Sequence, residues 1–196
     1  MPTPFAIDAS HWNVITDWTA LTTAGIVGVI HKATESVGYT DPTYAPRRQQ
    51  ATAAGLLWGA YHFLRPGDIV GQANYFLAKA KPDAHTLLAA DHEDSAVSLD
   101  DLKLFLRTIS DAVEQSPVVY SGYLIKQQLS GADAELAGYR LWLAHYGRPV
   151  WPTATWPSWW LWQFTDQGSV GGIAPVDVNA YRYDAKRLRA EWSGTS

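Results

Sequence analysis

The chain has 196 residues, which suits one domain with a proper core and is short for two. Hydrophobic residues make up 47% of it, which excludes a disordered chain. The net charge is −4 and no basic stripe is present, so we expect no nucleic-acid partner. The absence of cysteine excludes disulfides, thiolate metal sites and a cysteine nucleophile.

The amino-terminal residues 1–5 lack the basic and apolar regions of a signal peptide. No run of about 18 apolar residues occurs anywhere in the sequence. We therefore expect neither a signal peptide nor a membrane partner.

Eight apolar runs rich in β-branched residues predict eight strands. The runs are residues 5–8, 26–33, 57–63, 86–91, 117–121, 140–145, 160–164 and 175–178. Most of them are almost continuously apolar, which is typical of parallel strands that are covered on both faces.

Helix signals separate the early strands. Asp41 and Pro42 supply an N-cap and a first-turn proline, and Gly55 follows the helix that they open. Asp68 caps a second helix, which reaches Lys81.

The third helix signal is a capping box formed by Ser98 and Asp101. Apolar residues follow it at alternating steps of three and four, which predicts an amphipathic helix. The early strands therefore alternate with helices, and this alternation predicts repeated βαβ units.

The pattern changes after residue 145. Residues 145–160 contain three prolines and no helical period, and Gly168, Gly171 and Gly172 mark a tight connection further on. Short glycine-rich connections join antiparallel neighbours. The sequence thus predicts a single α/β barrel with about five βα units and three closing strands.

Acidic residues stand at the carboxyl ends of four predicted strands, where βα barrels gather their chemistry. They are Asp8, Glu35, Asp91 with Glu93, and Asp177. A strand period of two puts Asp91 and Glu93 on one face and His92 on the other. Asp177 and Asn179 share a face in the same way.

Clustered acids suit the hydrolysis of a glycosidic bond. Like charges raise the pKa of a neighbouring carboxyl, so one acid can stay protonated and serve as a general acid. The other acids supply negative charge to an oxocarbenium-like transition state. For Asp8 or Asp177 taken alone, helix capping or pairing with arginine is an equally good explanation.

The six histidines lack the spacing of metal ligands, so we predict no metal and no cofactor. His31, His62 and His145 stand in or at the ends of strands and could line the same mouth. Aromatic residues are abundant, with six tryptophans between Trp142 and Trp162. Such rings stack on sugars or fill cores. We expect Trp18 and Trp192, on predicted helices, to pack or to lie peripherally.

Eight short motifs occur in the order seen in glycoside hydrolase family 25, the Chalaropsis-type lysozymes, which include phage endolysins. The motifs are residues 5–10, 32–35, 59–63, 91–93, 119–121, 141–146, 162–165 and 176–179. The chain resembles this family from Asp8 to Asn179.

The resemblance implies a flattened TIM-like barrel of five βα units and three further strands. It implies that Asp91 and Glu93 carry catalysis, with Glu93 as the general acid, and that Asp8 and Asp177 line the same pocket, which Glu35 borders. Four further residues would shape the sugar subsites, namely Tyr61, Tyr120, Trp142 and Gln163, and we expect Trp142 to stack on a sugar. The family commonly has glycine directly after the glutamate that matches Glu35. This chain has Ser36 there, and we expect the serine to narrow the loop that follows Glu35.

The predicted function is that of an N-acetylmuramidase, which hydrolyses the β-1,4 bond between N-acetylmuramic acid and N-acetylglucosamine in bacterial peptidoglycan. A chitinase-like hydrolase and a non-catalytic wall-binding lectin are the alternatives. We expect one catalytic domain over residues 1–196, with no separate wall-binding module, that acts as a monomer. We also expect a phage endolysin that is made in the host cytoplasm and released at lysis to act on the cell wall.

Overall fold

A computed structural model describes residues 2–147 and 153–194 and contains nine strands and six α-helices. The strands are β1 (Pro4–Ala9), β2 (Gly28–Glu35), β3 (Tyr39–Thr40), β4 (Leu57–Phe63), β5 (Leu87–Asp91), β6 (Val118–Ser121), β7 (Arg140–Ala144), β8 (Leu161–Val170) and β9 (Ile173–Tyr181). The helices are α1 (Trp18–Thr23), α2 (Tyr44–Ala53), α3 (Ile69–Ala80), α4 (Leu99–Val113), α5 (Tyr123–Gln128) and α6 (Ala185–Glu191). None of the described helices is long and apolar enough to cross a membrane.

Eight of the strands close into a barrel, because β1 pairs with β2 on one side and with β9 on the other. The barrel strands β1, β2, β4, β5, β6, β7 and β8 are parallel to their neighbours in that order, whereas β9 is antiparallel to both of its neighbours. The short strand β3 pairs antiparallel with β2 outside the barrel. A helix follows each of β1, β2, β4, β5 and β6 in the barrel. The predicted fold of five βα units and three closing strands is therefore confirmed.

Two of the three predicted helix starts are confirmed. Asp68 caps α3 by accepting a hydrogen bond from Gly71 N at 2.8 Å, and Ser98 and Asp101 form the capping box of α4. The prediction for α2 is wrong by two residues, since the helix begins at Tyr44. The buried Asp41 carboxylate instead accepts from the amide and hydroxyl of Thr43 and so forms the turn before the helix.

The connection between β8 and β9 is a hairpin whose strands run further than predicted. Only Gly171 and Gly172 separate the two strands, and both have positive φ, 57° and 81°. This conformation suits glycine and matches the twist of an antiparallel pair. A Cβ on Gly171 would stand 2.9 Å from the Ala20 carbonyl carbon, because the hairpin packs closely against α1.

Large apolar side chains fill the lower end of the barrel, which is the end formed by the amino ends of the parallel strands. Trp192 is 1% exposed and donates from Nε1 to the Trp58 carbonyl at 2.8 Å. Its ring lies so close to Gly28 that a Cβ there would approach within 2.5 Å. Trp18 packs outside the barrel against Trp58. Both tryptophans therefore pack, as predicted, and Trp192 closes the lower end of the barrel.

Candidate active site

A cavity of about 290 Å³ opens at the carboxyl ends of the parallel strands. Its lining residues are Asp8, Ser10, Trp12, Lys32, Tyr61, Phe63, Asp91, Glu93, Tyr120, Trp142, Tyr146, Gln163 and Asp177. The structure thus brings together the four acids predicted as catalytic and four of the five residues predicted to bind substrate.

Strand alternation explains why these side chains meet. Along β1, Ala6 fills the barrel interior and Asp8, two residues on, reaches the cavity above it. Ala89 and Asp91 repeat the pattern on β5. Because β9 is antiparallel, Asp177 reaches the cavity as the register partner of Asp8.

Asp8 is the centre of a buried hydrogen-bond network. Its carboxylate accepts from Gln163 Nε2 at 3.0 Å and from Asn179 Nδ2 at 2.7 Å. Burial raises the pKa of Asp8 to about 6, even though these amide donors favour the anion. Asp8 is therefore a fixed carboxylate that is ionised at neutral pH.

Asp177 is hydrogen-bonded to Asp8 and holds a proton more tightly. Burial raises the pKa of Asp177 to about 8, and the negative charge of Asp8 adds to this effect. At neutral pH the pair therefore retains one proton, on Asp177.

Asp91 and Glu93 differ in exposure although they lie two residues apart. Asp91 is 5% exposed, and its Oδ1 atom has no hydrogen-bond partner among the described residues. Burial, and then the charge of Glu93, raise the pKa of Asp91 well above its usual range. Glu93 is exposed within the cavity, where desolvation and the charge of Asp177 raise its pKa.

Two hydrogen-bonded chains of side chains hold Asp8 in place, one through Gln163 and one through Asn179. Tyr120 and Tyr146 donate their hydroxyl protons to Gln163 Oε1 at 3.0 and 3.2 Å, and Gln163 in turn holds Asp8. Trp142 donates from Nε1 to Asn179 Oδ1 at 2.6 Å. Sequence spacing had placed Asn179 on the face of Asp177 without giving it this role.

The burial of Trp142 does not support the expected stacking on a sugar. Its side chain lines the floor of the cavity but is only 1% exposed, and its ring lies 4.4 Å from that of Tyr120. Trp12, which the sequence analysis did not single out, is 83% exposed at the mouth and rests on His11 with ring centroids 4.4 Å apart. Its signal in the sequence was its position just after β1.

Glu35 lies beside the cavity and fixes a cation that lines it. Its carboxylate binds Lys32 Nζ at 2.5 Å and the Arg65 guanidinium at 2.7 Å. Partial burial opposes ionisation of Glu35, but hydrogen bonds from both cations lower its pKa. Ser36, the next residue, has a φ of 51°, the left-handed region that favours glycine.

The expectation that three histidines could line the mouth is wrong. His31 and His62 point to the helix side of the sheet, opposite to their neighbours Lys32 and Tyr61, which line the cavity. Burial lowers the pKa of each imidazole to about 4, so both are neutral. His145 is exposed outside the cavity lining. Within residues 2–147 and 153–194, no three acidic or histidine side chains are arranged to hold a metal ion.

The profile of glycosyl hydrolases family 25 matches residues 7–173, from β1 into β9. The chain belongs to this family. It is 31% identical to Lysozyme M1 of Streptomyces globisporus over 97% of this chain and 71% of that relative. As a family 25 member it is a glycoside hydrolase, which the cluster of acids had indicated.

Solved structures of a lysozyme and a muramidase share the barrel. The bacterial lysozyme of Streptomyces coelicolor is 27% identical, with a TM-score of 0.87 over 97% of both chains. The muramidase of Trichobolus zukalii is also 27% identical, with a TM-score of 0.85 over 97% of this chain and 99% of that chain. The fold implied by the sequence motifs is thereby confirmed.

Proposed function

We propose that this family 25 glycoside hydrolase is a lysozyme that cuts the β-1,4 bond between N-acetylmuramic acid and N-acetylglucosamine in bacterial peptidoglycan. The observation that carries the proposal is the acid-lined cavity, with one exposed glutamic acid above buried carboxyl groups. The similarity to lysozymes and muramidases supports this substrate over chitin.

Glu93 is proposed as the general acid. Its exposed carboxyl can reach a glycosidic oxygen in the cavity, and its raised pKa keeps the proton available. Glu93 donates this proton as the bond from C1 to the leaving oxygen breaks, and the carboxylates of the cavity stabilise the positive charge that develops at C1. Water adds its hydroxyl to C1, and its remaining proton restores the acid.

The remaining lining residues are proposed to hold the sugars. Trp12 offers an exposed ring at the mouth, which suits stacking on a sugar face. Tyr61, Tyr120 and Gln163 shape the subsites from within the cavity, and Glu35 borders them through Lys32. We assign Trp142 an indirect part, because its contact to Asn179 supports Asp8.

Mass spectrometry of the fragments released from purified peptidoglycan tests the bond assignment. We expect fragments that end in reducing N-acetylmuramic acid. Reducing N-acetylglucosamine ends, or cleavage of an amide bond, would refute the muramidase assignment. Binding to the wall without release of reducing ends would favour the lectin alternative.

Two statements about the whole protein also belong to this proposal. The barrel acts as a monomer, and it reaches the wall as a phage endolysin released from the host cytoplasm at lysis. Light scattering on the purified protein checks the first statement, for which we expect the mass of one chain. Expression in the cytoplasm with and without a holin checks the second, and lysis should require the holin.

A further inference from the structure

A second groove lies at the opposite end of the barrel from the acid-lined cavity. It has a volume of about 360 Å³ and is lined by the start of β7, residues 156–160 before β8, residues 182–183 after β9, and one face of α6. Because β9 is antiparallel, its carboxyl end lies beside the amino ends of β7 and β8. The groove, which we call the lower groove, shares no lining residue with the catalytic cavity.

Four aromatic rings line the lower groove and remain partly open to solvent, namely those of Tyr139, Trp159, Trp160 and Tyr183. Tyr183 is 46% exposed, and Trp159 and Trp160 are half-buried. Trp160 is fixed in place by a hydrogen bond from Nε1 to Glu191 Oε2 at 3.0 Å and by edge contact with Tyr181. The groove therefore offers pre-positioned aromatic surface of the kind that packs on sugar rings.

The lower groove is also positively charged. Three arginines line it, whereas Glu191 is its one acidic lining residue among the described residues. Glu191 is fully engaged, because it accepts from Trp160, from Tyr181 at 2.6 Å and from Arg187 at 2.6 Å. Its single charge offsets only one of the three arginines.

The other two arginines have no carboxylate partner in the described part of the chain. Arg140 donates to the backbone carbonyls of Ser116, Glu191 and Trp192, and its guanidinium lies 4.3 Å from the centre of the Trp160 ring. Arg182 is exposed and lies 5.8 Å from the Tyr183 ring. A basic aromatic groove of this kind contrasts with a chain whose net charge is −4.

We propose that the lower groove is a second, non-catalytic binding site for a peptidoglycan strand. Sugar rings of the strand cover Trp159 and Tyr183, and a carboxylate of its stem peptides pairs with Arg182, which is exposed. Aromatic rings combined with the exposed guanidinium of Arg182 and an excess of positive charge fit a glycan that carries carboxylates better than they fit a neutral glycan. This inference rests on the proposed function, which makes such a polymer the substrate.

The position of the lower groove gives the second site a role. The lower groove shares no lining residue with the cavity at the opposite end of the barrel, so a strand bound there leaves the cavity open to a second strand. Holding one strand while another is cut raises the effective concentration of enzyme at the insoluble wall. The rate at which short soluble fragments are cleaved does not depend on this second site.

Sedimentation with purified peptidoglycan, stripped of its covalently attached anionic polymers, tests the proposal in a Glu93→Gln background. The double variant Arg182→Ala with Tyr183→Ala should bind about tenfold more weakly than its parent. Arg189→Ala is the matched control, because it removes an exposed cation of α6 that does not line the groove. It should bind as the parent does.

Activity measurements complete the test. With Glu93 intact, the double variant should clear insoluble walls more slowly and cleave soluble peptidoglycan fragments at the parental rate. Wall binding equal to that of the parent, or an equal loss caused by Arg189→Ala, would overturn the proposal. Binding by the parent that requires the attached polymers would also overturn it. Failure of the parent to produce muramic acid reducing ends would instead refute the proposed function.

Discussion

The four acids of the cavity differ in how far they are removed from water. Asp8 and Asp91 are each 5% exposed, Asp177 is half-buried, and Glu93 is exposed. Burial has a chemical consequence, because each buried carboxyl holds its proton to a higher pH than it would in an unfolded chain. The arrangement therefore lowers the stability of the fold at neutral and alkaline pH.

The pair of Asp8 and Asp177 allows this loss of folding stability at high pH to be measured. A carboxyl whose folded pKa is raised favours the folded state below the unfolded pKa near 4, and this advantage is lost as the pH rises through the folded pKa, here about 8 for Asp177. Asp177→Asn has no proton to lose. We expect this variant to be more stable than the parent by more than 1 kcal/mol at pH 9, since one pKa unit is worth about 1.4 kcal/mol.

Urea unfolding at pH 4 and pH 9 measures this difference. The parent should lose more free energy of unfolding between the two pH values than Asp177→Asn does, while the variant loses activity. Parallel changes in parent and variant would mean that the pKa of Asp177 is not raised.

Trp12 allows the proposed sugar contact to be tested without disturbing the core. Trp12→Ala removes a side chain that is 83% exposed at the mouth of the cavity. We expect substrate binding to weaken by about 1–3 kcal/mol through a higher KM, with little change in kcat. Tyr123→Ala is the control, because Tyr123 is 70% exposed and does not line the cavity. Equal KM values for Trp12→Ala and the parent would remove Trp12 from the binding site.

The contrast between Trp12 and Trp142 marks what sequence spacing can give at a site. Strand ends and strand alternation indicate where a side chain lies, and they correctly brought Asp8, Asp91 and Asp177 to one cavity, whereas Gln163 was expected there only from the family resemblance. Strand alternation carries no information on how deeply a side chain is buried within the cavity. Trp142 points inward as expected, yet it lies at the floor of the cavity beneath Tyr120.

At the scale of elements, alternating strand and helix signals sufficed to predict the barrel, because each long apolar run and each cap acts locally. The start of α2 was predicted incorrectly because the Asp41 carboxylate bonds Thr43 in a turn before the helix. The two-residue strand Tyr39–Thr40 was not predicted, since it is fixed by pairing with β2. Such pairing depends on contacts across the fold that no local pattern records.

The β8–β9 hairpin contains two adjacent glycines that make a matched pair of tests. Both have positive φ, but only a Cβ on Gly171 would contact the backbone of Ala20. Gly172→Ala should lower the free energy of unfolding by about 1–2 kcal/mol through backbone strain. Gly171→Ala should lower the free energy of unfolding further, because α1 or the hairpin must also move to make room for the new Cβ. Equal costs in urea unfolding would mean that the hairpin does not pack tightly against α1.

At the scale of the molecule, one part of the barrel interior forms the hydrophobic core and the other part forms the candidate active site. Its lower part is filled by apolar side chains such as Leu87, Val118 and Trp192. Its upper part holds polar groups that are connected to Asp8 through Gln163 and Asn179. The same inward-facing positions therefore supply both the core and the acids, and the closed base supports the cavity above it.

The rate at which Glu93→Gln releases reducing ends from purified peptidoglycan tests the central claim most directly. Glutamine keeps the size of the side chain but cannot give a proton to the leaving oxygen. We predict a rate about 10²–10⁴-fold below that of the parent, with wall binding and thermal unfolding unchanged. A Glu93→Gln variant that releases reducing ends at the parental rate would contradict the assignment of Glu93 as the general acid.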